Sequence, residues 1–388
     1  MWVRVDEDEN IAERRVVKTV QVLRDVWLDA TKWTGDVKDY QQRLPMDYHL
    51  QRKLCTAADG GEFFNRVRAC VIDNEAWTYK LVLDYCDQGH VGSILRRYRD
   101  EDGDGNVPEP LAWSILEGLI KAVLVMQQGA IQSQEEDWKE VVHRDFKPDN
   151  VFLTRVPNSE YPRIQLSDFE HSIETTRDDP FNPKVWREDA AGHDAYWAPE
   201  LRTPRHRAAI IRGYPEKGLS LPTIPRQDLT ADKVCSTVNV WNIGTTMFTL
   251  MCGAEIRPVK FEGVDYPGML WNREDMWWEN WDRGALEYYS EELVQLVRNC
   301  LEDDPTMRPT PGELLLSVQA VSEDALCERR KGARGATADD VNNWDDDDGP
   351  MDYIRAADRY KIGLSFDTLA TGEDLSSDWS VNASDEGS

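Results

Sequence analysis

The feature that most constrains this chain is a run of eight mostly polar residues with apolar residues on both sides. The run reads His-Arg-Asp-Phe-Lys-Pro-Asp-Asn over residues 143–150, with Val-Val before it and Val-Phe-Leu after it. Short runs of β-branched and aromatic residues are typical of buried strands. We therefore expect two buried strands that frame a tight loop. The alternative is a surface loop in which these charges fall together by chance.

Three further motifs follow in order along the chain. Residues 164–170 read Ile-Gln-Leu-Ser-Asp-Phe-Glu, an alternating strand pattern that ends in Asp-Phe-Glu. Residues 198–200 are Ala-Pro-Glu, and residues 304–309 are Asp-Pro-Thr-Met-Arg-Pro. Four motifs in this order argue strongly against a chance match.

Together these motifs resemble those of the protein kinase superfamily, whose catalytic loop reads H-R-D-x-x-x-x-N and precedes D-F-G and A-P-E elements. The Lys-Pro-Asp-Asn wording resembles the Ser/Thr branch. The Trp-rich, acidic character is similar to that of a divergent family of fungal kinase-like proteins. The resemblance implies an α+β chain with a bilobal fold, in which a small β-rich lobe (residues 1–86) precedes a larger helical lobe (residues 87–330). It also implies transfer of the γ-phosphoryl group of ATP, with Mg²⁺, to Ser/Thr hydroxyls of proteins.

The resemblance assigns roles to the groups that such chemistry needs. Asp145 would accept or orient the proton of the attacking hydroxyl. Lys147 would neutralise charge on the transferred phosphoryl group. Asn150 and Asp168 would hold metal ions and thereby contribute to ATP binding.

The other motif residues would have structural or regulatory roles. Phe169 would pack beneath the helix of the small lobe, and Arg308 would pair with Glu200 of the Ala-Pro-Glu element. Arg144 would bind a phosphate on the activation segment. His143, which opens the loop motif, belongs to the same structural group.

Patterns of apolar residues predict the elements of both lobes. In the small lobe we expect a strand over residues 14–20, a helix over 45–57, and a hairpin of strands over 66–72 and 77–84. A polar stretch would join the first strand to the helix. The predicted helices of the large lobe span residues 111–128, 238–252, 290–301 and 311–329.

A lysine of the small lobe should bind the α- and β-phosphates of ATP. Lys18 fits this role, and Asp47 on the predicted helix would be its partner. Aspartate is one methylene shorter than the usual glutamate, so the helix would have to lie closer to Lys18. As alternatives, Lys18 is an ordinary surface lysine, and Asp47 is a carboxylate favoured by the helix dipole.

The segment after the last strand of the small lobe resembles a kinase hinge. Backbone groups of Asp84 and Cys86 would there bond the adenine edge. Leu83 would close the back of the pocket.

Several positions depart from the kinase pattern. A G-x-G-x-x-G loop should precede Lys18, yet the residues before it contain no glycine. Either the chain starts after that loop or the small lobe lacks its first strand. Glu170 replaces the glycine of D-F-G, His193 stands where a threonine is usual, and Asn239 stands where an aspartate usually braces the catalytic loop.

These departures favour a rival function, a pseudokinase scaffold with weak or no phosphotransfer. The retained catalytic groups favour the enzyme. A small-molecule phosphotransferase of related fold is a third possibility, and the Ala-Pro-Glu element and Arg308 argue against it.

Composition limits the kinds of binding partner and the cellular compartment that we expect. A net charge of −27 disfavours nonspecific binding to nucleic acid or anionic membranes, so we expect a protein substrate or a scaffold partner. The seven cysteines are scattered without a C-x-x-C pair, and the N-terminus has no signal-peptide pattern. We therefore expect an intracellular protein of the cytoplasm or nucleus. Residues 331–388 carry 14 acidic and 5 basic side chains and are predicted to be a disordered tail.

Overall fold

The structure is a computed structural model. It describes residues 2–8, 10–36, 39, 42–101, 107–157, 159, 161–176, 179, 192, 196–201, 234–252, 259–261, 264–266, 288–302 and 304–321. His193 and the predicted tail lie outside the described residues.

Strands dominate the first part of the chain and helices the later part. The described strands are β1 (Trp2–Val5), β2 (Ile11–Gln21), β3 (Trp33–Thr34), β4 (Leu44–Pro45), β5 (Val67–Asp73), β6 (Thr78–Asp84), β7 (Glu140–Val142), β8 (Val151–Thr154), β9 (Arg163–Leu166), β10 (Ile173–Thr175), β11 (Val259–Phe261) and β12 (Val264–Tyr266). The described helices are α1 (Arg24–Trp27), α2 (Met46–Thr56), α3 (Gly60–Phe63), α4 (Val91–Glu101), α5 (Glu109–Gln128), α6 (Ser236–Cys252), α7 (Glu291–Cys300) and α8 (Pro311–Gln319). The predicted bilobal α+β fold is confirmed.

The small lobe is built on an antiparallel sheet with the strand order β1-β2-β6-β5. Tyr79, Leu81 and Leu83 of β6 are buried, because alternate side chains of a strand point to the same face. Lys18 on β2 lies opposite Leu81. It shares a face with the buried Val20, two residues further along the strand.

Helix α2 packs against this sheet. It begins directly after Pro45, and its predicted i, i+4 pair, Leu50 and Leu54, is fully buried. Its ends differ by one residue from the predicted ones, which is the usual uncertainty of a helix boundary.

The polar stretch expected between β2 and α2 is structured. It forms α1 and the short β3–β4 pair, and it buries Trp27 and Trp33. The prediction overlooked this subdomain because its apolar residues follow neither a helical nor a strand period.

The core of the large lobe surrounds α5 and α6. Leu116, Ile120 and Val123 of α5 are fully buried, as is Met247 of α6. Helix α5 begins two residues before its predicted start, because proline is tolerated in the first turn of a helix. It ends at Gly129, whose φ of 91° lies in the left-handed region that glycine adopts without strain.

Helix α8 is shorter than predicted. Thr310 and Glu313 form a capping box at its start. The helix ends at Gln319, ten residues before the predicted end, and residues 322–329 lie outside the described part of the chain. The predicted continuation through residues 320 and 321 is therefore wrong.

Two short antiparallel strand pairs frame the 143–150 loop. Strand β7 pairs with β10, and β8 pairs with β9. Val141, Val142 and Val151 are fully buried, which confirms the predicted buried strands. Among the described residues, no helix combines the length and the apolar character needed to cross a bilayer.

Candidate active site

The loop between β7 and β8 is held from the core of the large lobe. Asn239 on α6 accepts the backbone N–H of His143 (3.0 Å) and donates its amide N–H to the carbonyl oxygen of Val141 (2.9 Å). Asn239 is fully buried, so water does not compete for these bonds. The sequence analysis counted this asparagine among the departures that favour a pseudokinase. The structure shows that its amide satisfies two backbone groups, one of which a carboxylate could not.

His143 connects this loop to the segment that follows β9. Its Nε2 lies 3.1 Å from the carbonyl oxygen of Ser167, and the backbone N–H of Asp145 donates to its Nδ1 over 3.3 Å. Burial lowers the pKa of His143 to about 4, so the imidazole is neutral near pH 7. A neutral ring with the proton on Nε2 fits both contacts.

Phe169 packs in the same region. Its ring centroid lies 4.7 Å from that of His143 and 6.0 Å from that of Phe64. Phe169 is fully buried, in one apolar cluster with Leu50 and Leu54 of α2. The aromatic residue after Asp168 therefore connects helix α2 to the core of the large lobe.

Asp145 lies at the base of the loop, where two side chains hold its carboxylate. Lys147 Nζ is 3.1 Å from Asp145 Oδ2. Asn150 Nδ2 donates to the same oxygen over 3.0 Å and to the Asp145 carbonyl over 2.7 Å. The structure thus brings the predicted loop residues together, with an ammonium group beside the carboxylate.

Asp168 lies beside the loop, directly after Ser167. The Ser167 N–H donates to the Asn150 carbonyl over 3.1 Å, which places the chain at Asp168 next to Asn150. Asp168 has a φ of 70°, a sparsely populated conformation for a non-glycine residue that is common at functional sites. The Asp168 side chain is 35% exposed, so it remains accessible to a ligand.

Lys18 lies at the centre of a group of three carboxylates. Its Nζ is 2.6 Å from Asp168 Oδ1, 3.2 Å from Asp47 Oδ2 and 3.2 Å from Glu170 Oε2. The three carboxylates each offer an oxygen within 4.8 Å of the others. The pairing of Lys18 with Asp47 is thus present, and Asp168 and Glu170 are additional partners that sequence reasoning did not assign to Lys18.

The electrostatics of this group follow from burial and charge. Burial raises the pKa of Asp47 to about 6, and the Asp168 and Glu170 charges act in the same direction against the lowering effect of Lys18. Burial opposes the charged form of Lys18, but the surrounding carboxylates raise its pKa above its ordinary value. Burial would raise the pKa of Asp168, yet the contact with Lys18 lowers it. One ammonium therefore faces three carboxylates, an excess of two negative charges near pH 7.

Gln51 and Lys53 of helix α2 make further polar contacts that sequence reasoning missed. The Gln51 amide donates to the Asn65 carbonyl over 2.6 Å and to Ser167 Oγ over 3.3 Å. Lys53 Nζ lies 2.6 Å from Glu174 Oε1. A signal for Gln51 existed, because residues 47 and 51 are four apart and lie on one face of a helix.

The predicted hinge residues surround the junction of the lobes. Leu83 and Cys86 are buried, and Cys86 Sγ contacts Gln165 Oε1 at 3.4 Å. The Asp84 N–H donates to the Arg66 carbonyl over 3.0 Å, so this group is already engaged. A cavity of about 550 Å³ adjoins the hinge. It is lined by Arg4, Ala12, Glu13, Arg14, Arg15, Asp84, Tyr85, Asp87, Thr154 and Gln165.

The predicted structural pair lies deep in the large lobe. Arg308 binds Glu200 through two bonds, Nη1 to Oε1 (2.7 Å) and Nη2 to Oε2 (2.8 Å), and both side chains are fully buried. Such a bidentate pair is both strong and specific in geometry. Nη1 of Arg308 also donates to the Thr237 carbonyl over 2.8 Å.

Arg144 is only 3% exposed, and its Nε donates to the carbonyl oxygen of His171 over 2.6 Å. Its φ is 64°, in the left-handed region. In this structure Arg144 therefore connects the loop to the start of the following segment. Its predicted contact with a phosphate stays a prediction.

Comparison with known proteins agrees with these features. No family model matches the chain. Over 256 residues it is 25% identical to the G2-specific protein kinase fin1 of Schizosaccharomyces pombe, which covers 63% of this chain and 29% of fin1. Over 267 residues it is 24% identical to human MAP kinase-activated protein kinase 2, covering 69% of this chain and 54% of that kinase. Over 118 residues it is 28% identical to the Saccharomyces cerevisiae serine/threonine-protein kinase ENV7, covering 30% and 31% of the two chains.

The chain thus spans only part of each of these relatives. The similarity to these kinases nevertheless agrees with the motifs, the two lobes and the loop geometry described above. The chain is therefore similar to Ser/Thr kinases of the protein kinase superfamily, and its fold is that of a bilobal kinase-like domain.

Proposed function

We propose that the chain binds ATP with Mg²⁺ and transfers the γ-phosphoryl group to Ser/Thr hydroxyls of proteins. The observation that carries this proposal is the assembly of Lys18, Asp145, Asn150 and Asp168 at the junction of the two lobes. These residues come from three different segments, because Asp145 and Asn150 share the 143–150 loop, Lys18 lies on β2 and Asp168 follows β9. Relatives named as protein kinases, among them a serine/threonine-protein kinase, support the same reaction class.

The donor groups of the site fit a nucleotide with a divalent cation. Carboxylate and amide oxygens are the ligands that Mg²⁺ prefers, and Asp168 and Asn150 would hold it. When bound, the cation would neutralise charge on the phosphates. The excess of negative charge around Lys18 disfavours binding of ATP alone, so we expect nucleotide binding to depend strongly on Mg²⁺.

The side chains of the loop would carry out the remaining steps. The Lys18 ammonium would bind phosphate oxygens, with Asp47 holding it in place. Asp145 would orient the attacking hydroxyl and take up its proton, since Asn150 fixes one of its carboxylate oxygens. Lys147, at 3.1 Å from Asp145, would stabilise negative charge as it develops.

The second candidate function is a pseudokinase scaffold. Glu170 favours it, because this carboxylate already occupies the ammonium that the phosphates would need. The partner would then be a protein that binds the folded domain without being phosphorylated.

An intracellular location, in the cytoplasm or nucleus, is part of the proposal. The described cysteines, which are Cys55, Cys70, Cys86, Cys235, Cys252 and Cys300, are all free. Free thiols are typical of proteins that remain in a reducing compartment.

Thermal unfolding with and without Mg-ATP tests the proposal. We expect Mg-ATP to raise the melting temperature of the chain and expect Lys18→Met and Asp168→Asn to abolish the rise. Lys80→Met is the matched control, because Lys80 is an exposed lysine on the neighbouring strand.

Phosphotransfer to a generic acceptor protein is then measured for the chain and for Asp145→Asn. Nucleotide binding without phosphotransfer would favour the scaffold. Absence of any Mg-ATP effect in the folded chain would refute the enzyme.

A further inference from the structure

An arginine that contacts two tryptophans, whose rings meet edge to face with centroids 4.7 Å apart, lies in the segment between β2 and α2. The guanidinium carbon of Arg43 is 4.6 Å from the Trp27 ring centroid and 3.9 Å from the Trp33 ring centroid. Arg43 is 1% exposed, and the two tryptophans are 2% and 4% exposed. We call these three residues the Trp–Arg clamp. Cation–π contacts shielded from water are stronger than exposed ones.

The clamp is attached to the sheet of the small lobe. Arg43 Nη2 donates to Asn74 Oδ1 over 2.9 Å, in the turn between β5 and β6. The Trp33 ring packs edge-on against Tyr79 of β6, with 6.4 Å between centroids. The same apolar cluster contains Leu81, which lies opposite Lys18.

The clamp is also attached to the start of α2. Trp33 pairs with Pro45 in the β3–β4 ladder, and Pro45 is the N-cap residue of α2. Asp47 is two residues further on, in the first turn of the helix. Tyr48, the next residue, belongs to the same apolar cluster as Trp27 and Trp33. The clamp thus connects the turn that carries Asp47 to the strands beside Lys18.

This connection matters because the Asp47 side chain is short. An aspartate reaches one methylene less far than a glutamate, yet Asp47 Oδ2 lies 3.2 Å from Lys18 Nζ. Asp47 is 97% buried, so its carboxylate would be costly to bury if the helix moved away from Lys18. The first turn of α2 must therefore be held close to β2.

We propose that the Trp–Arg clamp is a positioning element that holds the first turn of α2 against β2, so that the short Asp47 side chain reaches Lys18. The clamp would act on nucleotide binding through Asp47, without contacting the nucleotide. The expected effect of the clamp on ATP binding rests on the proposed function. Its effect on the contact between Asp47 and Lys18 does not.

The test combines Arg43→Lys with Asp47→Glu. Lysine keeps the positive charge but loses the planar stacking and the two-branched hydrogen bonding of arginine. Loosening the clamp should let α2 retreat by a small distance. The longer glutamate should then fit the retreated helix, while in the intact clamp it is too long for a buried site.

Two readouts follow the Lys18 contact. The first is the rate of reductive methylation of Lys18 by formaldehyde and cyanoborohydride, with the exposed Lys80 as an internal reference. The second is the dissociation constant of Mg-ATP. We expect each single variant to weaken Mg-ATP binding about tenfold and to label Lys18 faster, and the double variant to recover most of both losses, because contacting groups are coupled.

Arg24→Lys is the matched control. Arg24 lies in the same segment, where its guanidinium carbon is 5.8 Å from the Trp77 ring centroid, and neither residue belongs to the apolar cluster at α2. We expect this variant to leave both readouts unchanged. Should Arg43→Lys fail to fold, Trp33→Phe weakens the clamp more gently.

The outcomes separate the clamp from the proposed function. A variant of the clamp that lowers only the stability, with Lys18 labelling unchanged and no recovery by Asp47→Glu, would overturn the positioning role. Absence of Mg-ATP binding in the unchanged chain would refute the nucleotide site, and the labelling experiment alone would then decide about the clamp.

Discussion

Replacing Glu170 with glutamine should tighten the binding of Mg-ATP. Glutamine keeps the shape of the side chain and removes its charge. Lys18 would then keep Asp47 and Asp168 as partners and would no longer have a third carboxylate competing with the phosphates. The repulsion between the Glu170 carboxylate and the phosphates would also disappear.

The structure sets the size of this effect. The Lys18 Nζ to Glu170 Oε2 distance is 3.2 Å, at which two unit charges attract by about 1.3 kcal/mol in water. The Glu170 side chain is 42% exposed, and exposed ion pairs measure about 0.2–1 kcal/mol because of side-chain entropy and salt screening. We therefore expect the dissociation constant of Mg-ATP to fall by about 1.5- to 5-fold.

Isothermal titration at two salt concentrations measures this change. The gain should shrink at high salt, because exposed charges are screened. Glu117→Gln is the control, since Glu117 pairs with Lys121 at 2.6 Å on α5 and is 38% exposed. Weaker Mg-ATP binding by Glu170→Gln would refute the reasoning, because it would mean that the carboxylate helps to bind the cation.

Two further predictions concern the support of the catalytic loop. Asn239→Asp should lower the free energy of unfolding by about 1–3 kcal/mol, because a carboxylate cannot donate to the Val141 carbonyl; urea unfolding measures this, and an equally stable variant would contradict it. The folded-state pKa of His143, about 4, lies below the ordinary 6.5, so stability present above pH 6.5 is lost as the pH falls towards 4, by about 2 kcal/mol between pH 7 and 5. In His143→Phe this part of the pH dependence should be absent. Urea unfolding at pH 7 and pH 5 measures it. If the variant loses as much free energy of unfolding between the two pH values as the unchanged chain, His143 is not the source.

Local patterns were sufficient to predict the elements that follow a simple period. The i, i+4 pair Leu50 and Leu54 predicted α2, and the apolar runs around the 143–150 loop predicted the strands β7 and β8. These predictions succeeded because a helix or strand that buries one face repeats its apolar residues with its own structural period.

Elements held by contacts between distant residues were not predictable in this way. Arg43 lies sixteen positions after Trp27 in the chain, and its contact with two tryptophan rings leaves no periodic signal. The same holds for Asn239, since its partners Val141 and His143 are almost a hundred residues away. The sequence shows that the usual aspartate charge is absent at residue 239. Only the structure shows which backbone groups the Asn239 amide binds.

The buried pair between Glu200 and Arg308 also holds together parts of the large lobe that are distant in sequence. Arg308 binds Glu200 and the Thr237 carbonyl together, so two residues that are 37 positions apart in the chain meet at one buried point. Any change to this single arginine therefore acts on the Ala-Pro-Glu element and on the first turn of α6 at the same time.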